Sequence, residues 1–195
     1  MTGQSGTGKY PVGVIHGRFQ ILHNDHLTYL LAGKDLCGHL IVGITNADPL
    51  HIKDEIENPE RSMGAANPLT YYERMLLVRS ALSEAGVPEK EYSIVPFPVN
   101  MPELYRYYVP MEGVFFLTIY DDWGRKKLEY FRSMNLSVHV LWEKPEEEKG
   151  ISAADIRARI INGDQWGHLV PPGVAELLTR WDISTRLADS RNTYR

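Results

Sequence analysis

The chain has 195 residues, a formal net charge of −4 and 43% hydrophobic residues, which predicts one globular domain with a sizeable buried core. The acidic balance argues against a general nucleic-acid-binding protein, so any phosphate chemistry depends on basic groups placed locally. The single cysteine, Cys37, excludes an internal disulfide and fits a reducing compartment. No apolar run is long enough to span a bilayer. The expected location is therefore the cytoplasm, with neither a membrane nor a nucleic acid as partner.

Between an N-terminal tail at residues 1–10 and a C-terminal tail at 186–195, residues 11–185 are predicted to form one domain in which strands and helices alternate. Short apolar runs predict the strands, and apolar residues at helical spacing predict the helices. The strands are expected at residues 12–16, 39–45, 92–96, 114–118 and 137–142, and the helices at 25–37, 69–85, 123–134, 153–161 and 174–181. This alternation predicts an α/β fold: a Rossmann-like, doubly wound parallel five-stranded sheet with C-terminal helices, with ligands at the carboxyl ends of its strands.

Two further segments lack regular periodicity. Residues 3–9 match the Gly-x4-Gly-Lys part of a phosphate-binding loop, but they lack the preceding strand and the following Ser or Thr that such a loop needs. We expect no function from this match. Residues 46–67 are longer than an ordinary connection and form either a lid over the ligand edge or a solvated surface excursion.

The most informative stretch, Gly-Arg-Phe-Gln-Ile-Leu-His-Asn-Asp-His, occupies residues 17–26, where the first strand passes into the first helix. The start of a helix presents free backbone N–H groups and the positive end of the helix dipole, which suit an anion. His23 and His26 are three residues apart and share one helix face, so both imidazoles can point at one phosphate. A metal ion would need a third ligand nearby, and no metal site is assigned.

A second predicted helix start follows Gly150. Ser152 is a good N-cap, its helix offers free amides, and Arg157 lies about one turn later with a guanidinium that can bind phosphate. Alone, this pattern is typical of an ordinary capped helix. Together with the histidine pair, it predicts a second phosphate-binding helix start.

The two motifs resemble those of the nucleotidyltransferase superfamily, which has His-x-Gly-His after a Gly-Arg-Phe-type turn and a late Ser-x-Thr/Ser-x-Ile-Arg motif. Further motifs, in the same order, are similar to those of archaeal-type nicotinamide-mononucleotide adenylyltransferases: Asn-Pro-Leu-Thr at 67–70, Glu-Arg at 73–74, Pro-Phe-Pro at 96–98 and Leu-Val-Pro at 169–171. The resemblance implies transfer of AMP from ATP to nicotinamide or nicotinate mononucleotide, with release of pyrophosphate, Mg²⁺ bound with the triphosphate, and a homo-oligomer.

The resemblance also implies roles for individual residues. Catalysis falls to His23, His26 and Arg157. Nucleotide and phosphate binding falls to residues around the two helix starts, namely Gly17, Arg18, Phe19, Gln20, Asp25, Ile151, Ser152 and Ile156. Acceptor binding is expected of Tyr105, whose ring would stack on a pyridinium unless it is a surface or hinge tyrosine. It is also expected of Asp121 and Asp122, which bind ribose hydroxyls or water-bound magnesium, or instead cap the next helix.

Asp25 departs from the resemblance, because the family has glycine there. At about 4 Å from a phosphate its charge would repel by roughly 1 kcal/mol in water and by several times that in a partly dry site. Three explanations stay open: the side chain turns away and caps the helix, the site has lost activity, or an introduced substitution preserves binding and disables catalysis. One alternative function follows from Asp25, a catalytically weakened nucleotide-binding protein. The other is a cytidylyltransferase acting on a phosphorylated small molecule or phosphonate, since the resemblance implies that such enzymes share both motifs.

Overall fold

The computed structural model describes residues 9–48 and 66–192, and side chains up to residue 189. Within these ranges five strands form one sheet in the order β3-β2-β1-β4-β5. The strands are β1 (Tyr10–Gly17), β2 (Cys37–Ile44), β3 (Tyr92–Pro96), β4 (Val114–Ile119) and β5 (Val138–Glu143). Every neighbouring pair is parallel. The predicted doubly wound parallel sheet is confirmed, and its strand order reverses between β1 and β4.

Six α-helices lie in the described ranges: α1 (Asn24–Asp35), α2 (Tyr71–Glu84), α3 (Asp122–Ser133), α4 (Ala153–Asn162), α5 (Pro172–Arg180) and α6 (Ile183–Asn192). Local signals set their limits. Thr70 and Glu73 form a capping box that starts α2, and Gly163, with φ of 76°, ends α4 in the left-handed conformation. α6 runs into residues that the sequence assigned to a C-terminal tail. It is held there because Ile183 and Leu187 are buried in the core.

The core consists of two clusters, one on each face of the sheet. Because strand side chains alternate between faces, Ile15 packs with α1, α2 and the C-terminal helices, whereas Val14 packs with Phe131 of α3. Both layers meet at the carboxyl end of β1, which is also the point of strand-order reversal. In an open α/β sheet this is where a ligand binds.

Two predictions fall on residues outside the described ranges. They are the phosphate-loop match at residues 3–9, apart from Lys9, and most of the long segment at 46–67, from 49 to 65. Among the described helices, none combines the length and apolar character that crossing a membrane requires.

Candidate active site

The first part of the site is the connection between β1 and α1. Gly17 ends the strand, and a Cβ there would lie 2.9 Å from Cζ of Phe19, so the glycine makes room for the phenyl ring. Phe19 has φ of 52°, an uncommon conformation for a residue with a side chain and one that is often found at functional sites. Phe19 is 1% exposed, and its ring meets that of His26 edge-on, with 5.1 Å between ring centroids. The Phe19 side chain therefore packs against the His26 ring and is not itself accessible to a ligand.

His23 and His26 come together as the motif predicts. His23 is the N-cap of α1, and the two imidazoles stack with their centroids 3.7 Å apart. The backbone N–H of His23 donates to Nδ1 of His26 over 3.4 Å, so a neutral His26 carries its proton on Nε2. His23 is 5% exposed, and its Nδ1 is buried without a hydrogen-bond partner among the described residues.

Burial keeps both imidazoles uncharged. It lowers the pKa of His23 to about 4, although the carboxylates of Asp25 and Asp155 act in the opposite direction. Burial also lowers the pKa of His26 well below its ordinary value, and the neighbouring His23 and Arg18 lower it further. At pH 7 each ring therefore has one N–H donor and no net charge.

The second part of the site is the start of α4, which Asp25 joins to α1. Oδ2 of Asp25 accepts a hydrogen bond from the backbone N–H of Ile151 at 3.0 Å. A Cβ on residue 150 would lie 2.3 Å from the same oxygen, so a side chain there would collide with the carboxylate. Gly150 also has φ of 69°, a conformation that favours glycine. The contact therefore requires glycine for both reasons. Of the three explanations for Asp25, the one in which its side chain turns away and caps its own helix is therefore wrong. The carboxylate occupies an amide of the other predicted phosphate site.

Ser152 caps α4 as predicted, and its hydroxyl is already engaged. Oγ accepts from the N–H of Asp155 at 3.2 Å and donates to Oδ2 of Asp155 at 2.7 Å. Ile156, assigned to nucleotide binding by resemblance, is fully buried in the core. Arg157 donates to the carbonyl oxygen of Gln20, so its guanidinium reaches the β1–α1 connection from α4.

Gln20 and Arg74 hold this connection in place. Gln20 is 2% exposed, and its side-chain amide exchanges two hydrogen bonds with the backbone of Leu69, at 2.8 and 2.9 Å. Arg74 is 1% exposed, and its guanidinium donates to four carbonyl oxygens, those of Arg18, Thr45, Asn46 and Thr70. Burial lowers the pKa of Arg74 to about 10, and the charge of Arg18 adds to the effect. The sequence reasoning gave Arg74 no role, although an arginine in line with Leu77, Val78 and Ala81 on the apolar face of α2 was a usable signal.

The predicted acceptor-binding residues are engaged elsewhere. Tyr105 is fully buried, its hydroxyl donates to the Val99 carbonyl at 2.7 Å, and its ring packs on Phe97. The expectation of an open aromatic face is therefore wrong, because both the ring and its hydroxyl are used by the core. Of the two predicted aspartates, only Asp121 follows the capping alternative, and both form ion pairs. Asp121 caps α3 through Gly124 and pairs with Lys149, and Asp122 pairs with Arg125.

No group of three or more His, Cys, Asp or Glu side chains suited to a metal ion occurs within residues 9–48 and 66–192. The histidine pair itself is an arrangement of neutral hydrogen-bond donors at a helix start. Such an arrangement binds and polarises anionic oxygens.

A family model described as Cytidylyltransferase-like matches residues 14–159. The chain is 46% identical over 175 residues to the phosphonoformate cytidylyltransferase of Streptomyces viridochromogenes, a match that covers 90% of this chain and 94% of the relative. It is 32% identical over 168 residues to the nicotinamide-nucleotide adenylyltransferase of Thermococcus kodakarensis, covering 85% of this chain and 81% of the relative.

Among solved structures, the bifunctional NMN adenylyltransferase/ADP ribose pyrophosphatase of Francisella tularensis has a TM-score of 0.69 and 17% sequence identity. The match covers 95% of this chain, which spans about half (54%) of that protein. At this identity the likeness concerns the fold alone. On the strength of the family model and the similar sequences, the chain belongs to the cytidylyltransferase-like family of the nucleotidyltransferase superfamily.

Proposed function

We propose that this protein transfers a cytidylyl group from CTP to a small phosphonate or phosphate acceptor. The observation that carries the proposal is the 46% identity with a phosphonoformate cytidylyltransferase, sustained over nearly the full length of both chains. The adenylyltransferase to which the chain is 32% identical supports the same reaction class at a greater distance. AMP transfer to a pyridine mononucleotide, the leading expectation from sequence, thus becomes the second candidate.

In this reaction an oxygen of the acceptor attacks the α-phosphorus of CTP, and the bond from that phosphorus to the pyrophosphate oxygen breaks. Any proton on the attacking oxygen passes to solvent. No covalent intermediate with the protein is needed, because phosphoryl transfer depends mainly on positioning and charge stabilisation.

We assign His23 and His26 to the α- and β-phosphate oxygens. Both rings are neutral donors at the start of α1, where the backbone N–H groups and the helix dipole also favour negative charge. Arg18 supplies a positive charge close enough to lower the pKa of His26. As charge moves toward pyrophosphate in the transition state, these groups stabilise it without having to reorganise.

We assign the start of α4 to the other end of the triphosphate. Without substrate, the N–H groups of Ile151 and Ser152 are held by the carboxylates of Asp25 and Asp155. The triphosphate exchanges with the Asp25 carboxylate at Ile151. Arg157 acts as a positioning residue that fixes the β1–α1 connection through the Gln20 carbonyl. Mg²⁺ enters with the triphosphate as part of the substrate.

A product assay tests the proposal. The protein is incubated with Mg²⁺ and either CTP or ATP, paired with either phosphonoformate or nicotinamide mononucleotide, and pyrophosphate and the new anhydride are measured. We expect pyrophosphate release with CTP and phosphonoformate. Each of the variants His23→Asn and His26→Asn should lower kcat by about a hundredfold, as expected for the loss of one transition-state donor.

Two results would contradict the proposal. Dinucleotide formation with ATP and the mononucleotide, but no product from CTP, would favour the adenylyltransferase. Tight binding of CTP or ATP without pyrophosphate release from any pair would favour a nucleotide-binding protein without catalysis.

A further inference from the structure

His16 is a buried histidine at the same sheet edge to which no role has yet been given. It is the residue before Gly17 at the carboxyl end of β1, where the strand order reverses toward β4. Its side chain is on the face of Val14, toward α3, and therefore opposite the face of Ile15 and α1. The imidazole thus lies at the ligand edge, on the α3 face of the sheet, whereas α1 lies on the opposite face.

Aromatic rings hold His16 in place. It stacks on Phe131 of α3 with 5.5 Å between ring centroids. The ring of Phe97, which follows β3, packs against it at a tilt with 5.1 Å between ring centroids. Phe97 and Phe131 in turn pack on the buried Tyr105. The ring is thus fixed by packing contacts that provide no hydrogen bond.

Both nitrogens of His16 lack a hydrogen-bond partner among the described residues, and the residue is 6% exposed. Buried polar atoms are almost always paired, and an unpaired imidazole at a ligand edge requires an explanation. A hydrophobic side chain would fill this aromatic surrounding with no unpaired atoms, so packing alone does not account for histidine here.

The charge nearby is positive. Lys127 lies one turn before Phe131 on α3, and its Nζ is 5.9 Å from the centroid of the Phe131 ring that stacks on His16. Burial first, and Lys127 second, lower the pKa of His16 well below its ordinary value, and no carboxylate acts against them. A neutral N–H donor with a cation behind it suits an anionic oxygen.

We propose that His16, with Lys127, binds the anionic end of the acceptor: an oxygen of a small phosphonate, phosphate or carboxylate. This inference rests on the proposed function. It places the acceptor toward the α3 face of β1 and the triphosphate toward the α1 face, so attack and departure occur on opposite sides of the α-phosphorus, as an in-line displacement requires.

The test compares His16→Phe with the wild-type protein in the CTP and phosphonoformate assay. We expect KM for phosphonoformate to rise by about tenfold or more, since a hydrogen bond to a charged group is lost. KM for CTP should stay within about twofold. The melting temperature should be unchanged or higher, because the variant removes two unpaired buried nitrogens. His16→Gln, which keeps an N–H donor, should recover part of the affinity, and Lys127→Met should weaken acceptor binding in the same way.

His39→Phe is the matched control, because it makes the same change near the amino end of β2, away from the ligand edge. It should leave both KM values unchanged. If His16→Phe also leaves KM for phosphonoformate unchanged while the wild type turns over, His16 is structural. The inference about His16 then fails, and the proposed function stands. If the wild type shows no turnover, calorimetry with phosphonoformate decides the matter: tighter binding by wild type than by His16→Phe supports the inference, and equal binding overturns it.

Discussion

At the scale of single residues, the proposed function gives Asp25 two opposing roles. In the free protein its carboxylate satisfies the Ile151 amide and joins the starts of α1 and α4. In the proposed complex, the same carboxylate faces the charge of a triphosphate. These two roles oppose each other, so the charge of Asp25 can be separated from its hydrogen bond by substitution.

We expect Asp25→Asn to lower KM for the nucleoside triphosphate by about fivefold or more, because a like charge is removed while the side-chain oxygen still accepts from Ile151. Steady-state kinetics with varied CTP measures this effect. Asp25→Gly should act in the same direction and also lower stability by about 1 kcal/mol through the lost bond.

Asp35→Asn is the control, since it removes the same charge from the opposite end of α1. It should leave KM unchanged. A KM for CTP that is the same in Asp25→Asn and the wild type would show that the carboxylate never meets the triphosphate.

At the scale of elements, Arg74 connects three chain segments that are distant in sequence. Its guanidinium donates to the carbonyls at the end of β1, at the end of β2 and at the start of α2. Carbonyl oxygens left without donors in a buried site are costly. The shape of the ligand edge therefore depends on a helix residue that we do not expect to touch substrate.

We expect Arg74→Met to lower the free energy of unfolding by about 3 kcal/mol, since it keeps the length of the side chain and removes every donor. Denaturant titration measures the loss. KM for CTP should rise as well, because the β1–α1 connection loses an anchor.

Arg79→Met on the same helix is the comparison. Its side chain is 51% exposed, and its contact with Glu89 is long, at 3.9 Å. We expect a change within about 0.5 kcal/mol. Equal losses in the two variants would mean that the buried hydrogen bonds of Arg74 contribute nothing specific.

The elements also mark where sequence reasoning works and where it stops. Strand β3 has the predicted limits, because a short apolar run between turn residues is typical of a buried strand. The histidine pair was predicted because it depends on local helical spacing. The contact of Asp25 with Ile151 joins residues 126 positions apart, and α6 is held by tertiary burial of Leu187 and by the pairing of Arg186 with Glu73. Neither leaves a local signal.

At the scale of the whole molecule, three histidines at the ligand edge link stability to pH. Burial lowers the pKa of His16, His23 and His26 in the folded state. The unfolded chain binds protons on these rings below about pH 6.5. In the folded chain these rings stay unprotonated to a lower pH, and the pKa of His23 is about 4. In that interval the unfolded state holds more protons, so lowering the pH favours unfolding.

We therefore expect the free energy of unfolding to be greatest above about pH 6.5 and to fall below it, each such histidine contributing up to about 1.4 kcal/mol per pH unit. Urea titrations at several pH values between neutral and mildly acidic measure the slope. In His23→Asn the free energy of unfolding should depend less steeply on pH, because one fewer proton is taken up on unfolding. A variant with the full wild-type slope would exclude His23 as a source.

The contact between Asp25 and Gly150 has a consequence for how this chain can change over time. A side chain at residue 150 would collide with the Asp25 carboxylate, so the two positions are not independent. A replacement at 150 meets two obstacles while aspartate is at 25, the collision and the positive φ, and only the second once residue 25 has become glycine. The same substitution is therefore more harmful in one genetic background than in the other, and the order in which the two changes arise decides which sequences are reachable from this one.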